Sequence, residues 1–398
     1  MLRKNRQKES KRPLVYVLLA KAYDTDTRVI QEVNSLIGGG FRVYVLAWDR
    51  DNTFKDTKTD YLKVKHLTLI PSKLFNKIVY ILSALLLQIA IILRGSLMMI
   101  KEPQIIIHAN DFNTLPAGAI LKFLFPKSIR LIYDSHEHTP AVYEEWFNKR
   151  ISKIVSFVER IFIKFADATI TVSQPIKEYL QTIFKKEIHI VQNYPVQTVF
   201  PRESKEEART KLGYKDGQFL ATFIGVMRMD IAIPEIVEAA KILKETAPSR
   251  KRKIKIILVG DGPLFQYVQE KRIELDLWDY IDITGRVERE LALIYLKASD
   301  LSLILIKGNS YNSKIGSPWK LFESLTSNVP VMVKKDTNMA EIAVSCNAGV
   351  VLNKINGDTI ASNLIEQSNH SNSNFLEVSE LFTWESQEDY FVGIYKNV

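Results

Sequence analysis

The sequence predicts an α/β protein of two Rossmann-like, doubly wound parallel-sheet domains facing each other across a cleft. Three observations predict it. Short runs rich in Val and Ile alternate with helix-length segments along the chain. The series is interrupted at Asn193–Glu206 (NYPVQTVFPRESKE), where two prolines and a charge cluster stand, and then restarts. A length of 398 residues is long for one core and comfortable for two.

The first half offers strand-like runs at 14–20, 42–48, 62–70, 104–109, 129–134, 168–173 and 188–193. The second half offers them at 219–225, 253–260, 280–285, 301–306, 329–333 and 349–353. Runs this short, β-branched and followed by a helical pattern mark βα units, whose parallel sheets are covered on both faces. The expected division is a basic tail (1–12), a first domain (13–195), a second domain (196–375) and a C-terminal segment (376–398). In doubly wound sheets ligands sit beyond the carboxyl ends of the strands, so the cleft between two such domains is the expected substrate site.

Composition narrows the function classes. With 46% hydrophobic and 25% charged residues the chain is globular. The lone Cys346 excludes an intramolecular disulfide framework and a cysteine-rich metal site, and fits a reducing compartment. The net charge of +9 lies partly in MLRKNRQKESKR, six Lys or Arg against one Glu. No apolar run follows that tail, so it is not a secretory signal; it reads as a solvated tail or a contact with anionic lipid. The remaining basic residues are scattered and no base-reading motif is present, so nucleic acid is not an expected partner. Ile78–Leu93 is shorter than a membrane span and contains Gln88. It reads first as a buried helix, with an interfacial helix and then a true span as the alternatives. Lys149–Phe165 alternates basic and apolar residues at helical spacing. It reads as a helix packed on a sheet, with a membrane face as the alternative.

The second half carries the sharper chemistry. One strand runs into Gly260-Asp261-Gly262-Pro263 and a helix start, where backbone approaches a ligand closely and an anion is favoured. The next ends at Gly285-Arg286-Val287, and an earlier one at Gly225 with Arg228 beyond it. Three glycine-bearing strand ends, two with Arg, point to a phosphate-bearing ligand. In Ser317-Pro318-Trp319-Lys320-Leu321-Phe322-Glu323, Pro318 suits a helix start, where a cation such as Lys320 is unfavourable unless an anion binds. Glu323 lies mid-helix, placed to accept both hydroxyls of a ribose.

In the first half, Asp134-Ser135-His136-Glu137-His138 follows a strand. Its spacing is wrong for His-Glu-x-x-His zinc binding, and no metal site is expected. His136 sits where it would hydrogen-bond a sugar hydroxyl or a carbonyl near a reacting carbon, with Glu137 beside it. Asp24-x-Asp26 imitates a chelating pair but precedes nearly all the strands; Asp26 reads as a helix cap. That leaves Arg28 free to reach an acceptor or the sheet. Asn110 and Asp111 end the fourth main strand in a similar cleft-facing place.

Together these motifs resemble the retaining GT-B glycosyltransferases of family 4, over about residues 14–395. The shared pattern includes Asp26-x-Arg28, His108…Asp111, Tyr133–Glu137, Ala166–Ser173, Val191–Pro195, Gly225, Gly260–Pro263, Gly285–Val287, Ala298–Asp300 and Pro318-x-Lys320-x-x-Glu323. The resemblance implies a nucleotide-sugar donor held by the second domain, a glycan or lipid-linked acceptor on the first, and a last helix crossing back to the first domain. It implies that Glu323 binds the donor ribose, that Gly285-Arg286-Val287 contact the base, that the Gly225 loop holds the diphosphate, and that His136 stands near the transferred sugar. The sugar nucleotide is a substrate, and no cofactor is implied. The chain departs from the pattern at Ile315, where the first Glu of Glu-x7-Glu would stand, and at Ile231 and Ala232, where a basic residue and Gly would stand. Two alternatives stay open: a sugar-nucleotide epimerase on the same fold and a non-catalytic binding relative. The expected setting is the cytoplasm, at the inner face of the membrane; the oligomeric state is left open.

Overall fold

The computed structural model describes residues 12–70, 77–246, 252–308, 310–369 and 378–398. It divides into two units, Met1–Gln192 with Gln387–Val398, and Asn193–Ser386. In the first unit the Val- and Ile-rich runs form β1 (Leu14–Leu19), β2 (Arg42–Trp48), β4 (Leu62–Leu67), β5 (Ile105–Asn110), β6 (Ile129–Ser135), β7 (Ala168–Thr171) and β8 (Ile188–Ile190). The two-residue β3 (Thr57–Lys58) pairs antiparallel with β4 at the sheet edge. It carries no apolar pattern, which is why the sequence does not announce it. The order is β3-β4-β2-β1-β5-β6-β7-β8, parallel apart from that edge. All six residues of β1 and of β5 are buried, as central parallel strands require.

The second unit is a six-stranded parallel sheet of order β11-β10-β9-β12-β13-β14. Its strands are β9 (Phe219–Ile224), β10 (Ile254–Val259), β11 (Ile281–Gly285), β12 (Leu301–Ile304), β13 (Val331–Lys334) and β14 (Gly349–Leu352). Phe219, Ala221 and Phe223 of β9 anchor one core cluster with Ile256 and Leu258 of β10. The thirteen runs read from the sequence all fall on these strands.

The units divide at Gln192/Asn193, three residues before the expected boundary, and 378–386 pack with the second unit. Aromatic contacts explain this. Tyr194, Phe322 and Phe382 pack together, and the Trp384 N–H donates to Pro195 O at 2.8 Å. The last helix, Glu385–Asn397, buries Phe391 and Tyr395 in the first unit, where the Tyr395 hydroxyl meets the His108 ring. The basic tail lies outside the described residues except Arg12, which stands over the Tyr61 ring.

The reading of Ile78–Leu93 as a buried helix is overturned. The helix runs longer, Lys77–Met99, and turns its apolar Ile81, Leu82, Leu85, Leu86, Ile89 and Leu93 outward. Its inner face, with Tyr80, Ser83, Leu87 and Ile91, is what the domain core needs, and the outer face has no partner among the described residues.

Candidate functional site

Each sheet reverses strand order once, between β1 and β5 in the first unit and between β9 and β12 in the second. Such switch points open a crevice at the carboxyl ends of the strands. Both clusters of polar residues in the chain's motifs lie there.

In the second unit, β9 runs out into Gly225 (φ 140°), whose N–H donates to Val259 O at 2.9 Å. A Cβ at Gly225 would lie 2.7 Å from the Lys320 Nζ, so the glycine keeps its face open to that ammonium. Lys320 is the second residue of the helix Trp319–Thr326. Its Nζ stands 5.1 Å from the Phe223 ring centroid, and no carboxylate forms an ion pair with it among the described residues. Burial and the neighbouring Arg228 push its pKa down, with Glu323 and Asp230 opposing. Arg228 is exposed and forks onto Asp230 at 2.9 and 3.0 Å. Glu323, one turn beyond Lys320, accepts from Arg289 at 2.9 Å. Gly225, Arg228, Lys320 and Glu323 are therefore brought together, around a cation that is desolvated yet carries no anion of its own.

Arg289 was missed in the sequence. The available signal was the one that singled out Lys320: it opens the helix Arg289–Ala298, where a cation is electrostatically out of place.

Other candidates have different occupations. A Cβ at Gly260 (φ 133°) would lie 2.1 Å from Gly225 O, and one at Gly262 2.8 Å from Met227 N. These glycines let one turn pack against the next, and the close approach expected for a ligand is made by protein backbone. The Gly260 N–H also donates to Gly285 O at 2.9 Å, so the ends of β9, β10 and β11 are contiguous. Arg286 is exposed just beyond, while Val287 packs on the core cluster of Ile257 and Val259. Ser317 is buried; its hydroxyl accepts from Asn338 and its carbonyl from Asn193. Ile315, Ile231 and Ala232, the departures from the family pattern, are all buried apolar residues.

In the first unit the site is a buried charge network. Asp111 adopts φ 58° and accepts from the His136 N–H at 2.9 Å, with its Oδ2 3.4 Å from the ring Nδ1. Asp134 Oδ2 lies 3.1 Å from His136 Nε2. Burial alone would push the imidazole pKa down; Asp134 and Asp111 overcome this and hold it well above the ordinary value. The ring is thus fixed at both nitrogens, with Asp111 at Nδ1 and Asp134 at Nε2. Asp134, despite burial, is held well below the usual carboxylate range by His136 and Arg28.

Arg28 is not free, as the sequence had suggested. It is buried, 2.8 Å from Glu32, 3.6 Å from Asp134 and 3.0 Å from His136, and it donates to Gln192 O at 3.3 Å. Two buried carboxylates demand a cation, and Arg28 lies one helical turn from Glu32. Burial pushes Glu32 up to about 7 even so. Asp26 caps the helix Thr27–Gly38 through Val29 N and pairs with Lys21 at 2.8 Å. Glu137 is exposed beyond His136. His138 caps the helix Thr139–Trp146 by accepting from Ala141 N, and burial pushes it down to about 4. Glu32, His108 and Asp134 present ligand atoms within 4.8 Å of one another. The Arg28 guanidinium lies beside two of the three, 2.8 Å from Glu32 and 3.6 Å from Asp134.

Comparison with known proteins adds to this geometry. Residues 26–194 match the family described as Glycosyltransferase Family 4, and residues 204–374 that described as Glycosyl transferases group 1. The chain is 25% identical over 186 residues to the alpha-monoglucosyldiacylglycerol synthase of Streptococcus pneumoniae, covering 45% of this chain and 40% of that protein. It is 32% identical over 130 residues to the putative teichuronic acid biosynthesis glycosyltransferase TuaC of Bacillus subtilis, covering 33% of this chain and 28% of that protein. The matched stretches thus span less than half the length of these curated relatives. Among solved structures, sucrose-phosphate synthase from Thermosynechococcus elongatus superposes with a TM-score of 0.72 at 14% identity, over 97% of this chain and 99% of that one. HepE of Anabaena, in complex with UDP, superposes with a TM-score of 0.68 at 14% identity, over 97% and 100%. At such identity these two share the fold. With both halves matched in order and the double-sheet architecture in place, the chain belongs to the GT-B glycosyltransferases of the family 4, group 1 type.

Proposed function

We propose that the protein moves a sugar from a nucleoside-diphosphate sugar to a glycan or lipid-linked acceptor, in the synthesis of a cell-surface polysaccharide or glycolipid at the cytoplasmic face of the membrane. The observation that carries this reading is Lys320: a desolvated ammonium beside the open face of Gly225, with no carboxylate paired to it among the described residues. A diphosphate is the anion such a site accepts. The names of the two curated relatives, a glycolipid synthase and a teichuronic acid glycosyltransferase, and the UDP held by HepE support the same classes of acceptor and donor.

In the proposed reaction the bond between the sugar C1 and the diphosphate oxygen breaks and the acceptor oxygen bonds to C1. The acceptor proton passes to the departing phosphate oxygen. Lys320 and Arg228 stabilise the charge that develops on the diphosphate, a metal-independent form of electrostatic catalysis. Glu323, steadied by Arg289, takes the ribose hydroxyls. His136, held at its two ring nitrogens by Asp111 and Asp134, stands beside the transferred sugar. Transfer with retention is proposed on the family resemblance.

The test is incubation with UDP-, GDP- and ADP-sugars plus a lipid extract, reading release of nucleoside diphosphate and a glycosylated product. Donor alone giving a rearranged sugar points to the epimerase instead. The buried Ile315 favours a second reading, a non-catalytic binding relative; nucleotide binding with no turnover on any acceptor distinguishes it.

A further inference from the structure

The helix Lys77–Met99 packs inward through Leu87 and Ile91, with Gly95 seated against Leu121. Gln88 locks it down: its amide donates to Asn113 O at 2.6 Å, and its carbonyl accepts from Ala117 N at 2.9 Å. The opposite face is a continuous apolar stripe, with Ile81, Leu82, Leu85, Leu86, Ile89 and Leu93 each between 43% and 61% exposed. The inner face packs on the helix Leu115–Leu124, whose end exposes Phe123 and Leu124. That helix packs in turn on Lys149–Phe162, and Phe123 meets the Phe165 ring just beyond it.

The helix Lys149–Phe162 supplies the charge. Its exposed side carries Ile154, Phe157 and Ile161, interleaved with Lys149, Arg150, Lys153 and Arg160. Its one acid, Glu159, is fully buried, held by the hydroxyls of Tyr133, Thr139 and Tyr179 at 2.7 Å each. The outward side of this helix therefore has apolar anchors and cations and no acid of its own, the composition that an anionic bilayer surface complements, while Glu144 and Glu145 are exposed on the adjoining helix Thr139–Trp146.

We propose that this three-helix face of the first unit docks in the plane of an anionic membrane, with the Lys77–Met99 helix lying in the headgroup–acyl boundary. At 23 residues the helix is long enough to cross a bilayer. Crossing would tear Gln88 from both partners and strip Leu87 and Ile91 from the core, whereas lying flat uses the exposed stripe and leaves every inner contact intact. Docking deepens the reading of a lipid-linked acceptor and rests on it for that acceptor's class, but the docking itself is measured without donor or acceptor.

The test is flotation of the full chain with vesicles of phosphatidylcholine alone, or of equal parts phosphatidylcholine and phosphatidylglycerol. Binding is expected on the anionic vesicles only, weakened by salt and released by an alkaline carbonate wash. Leu85→Gln with Ile89→Gln, and separately Arg150→Glu with Lys153→Glu, should each weaken it about tenfold or more, each cation near the surface being worth about fivefold. Both variants should bind nucleoside diphosphate as the wild type does, which shows that they fold. Equal binding to neutral vesicles, resistance to carbonate, indifference to either double variant, or a discrete self-associated dimer in place of vesicle binding would overturn the proposal. Failure of nucleotide binding in the wild type would instead strike the functional reading and leave the docking result standing.

Discussion

Replacing Lys320 by Met separates function from stability. The ammonium is partly buried, faces the Phe223 ring and feels the Arg228 cation, so its pKa is pushed below the ordinary 10.5. A lysine whose folded pKa is depressed makes its charge a burden on the fold below that ordinary value, relieved as pH rises past it. Met keeps the stem and removes the charge. Exchanging a buried charge for an apolar group of similar volume is neutral or stabilising; a gain of about 1 kcal/mol would raise Tm by about 2–4 °C in a domain of this size. Loss of a charged hydrogen bond to a diphosphate costs about 1.5–3 kcal/mol, or about 10–150-fold in Kd. Differential scanning fluorimetry without ligand and calorimetry with nucleoside diphosphate read the two quantities. A Tm equal to or above wild type with weakened binding is the expected pair. Unchanged affinity, or a Tm that falls together with affinity, would refute the assignment of Lys320 as an unpaired anion receptor.

Three further outcomes follow from named contacts. Glu323→Ala should weaken nucleoside-diphosphate binding about fivefold or more by removing the ribose acceptor and releasing Arg289, while deoxyribose analogues lose less; calorimetry checks it. Gly260→Ala should destabilise by about 2 kcal/mol or more, because its Cβ would meet Gly225 O at 2.1 Å in a φ region closed to L-residues; the urea midpoint reads it, and a fall in donor affinity without loss of stability would restore a ligand-facing role to this glycine. Asp134 has a depressed pKa, so its stabilisation is present above the ordinary carboxylate value and is lost as pH falls through the folded one; Asp134→Asn should flatten the acid limb of the stability–pH curve followed by urea melts.

The fold was legible because parallel strands buried on both faces need near-continuous apolar runs, as in LVYVLL of β1 and the Ile105–Ile107 start of β5. The edge strand β3 has two residues and no such requirement, so nothing announced it. Lys320 and Gly225 were legible because each is costly where it stands: a cation at a helix start, a glycine at a strand end. Gly260 and Gly262 sent the same signal for a different reason, since the sequence cannot tell whether the close neighbour is a ligand or the turn next door. The engagement of Arg28 was hidden for a similar reason. Its partners Asp134 and His136 are more than a hundred residues away, and only the sheet brings them together. The outward stripe of Lys77–Met99 was misjudged because a uniformly apolar helix gives no periodicity from which to tell its buried face from its bare one.

The measurement nearest the heart of the account is calorimetric titration of the full chain with UDP, GDP and ADP in metal-free buffer. Saturable binding of one of them, lost in Lys320→Met and reduced by competing inorganic diphosphate, is the predicted result. Absence of binding by all three, or binding that diphosphate does not touch, would contradict the claim that the end of β9 and the start of the Trp319–Thr326 helix form a receptor for a nucleoside diphosphate.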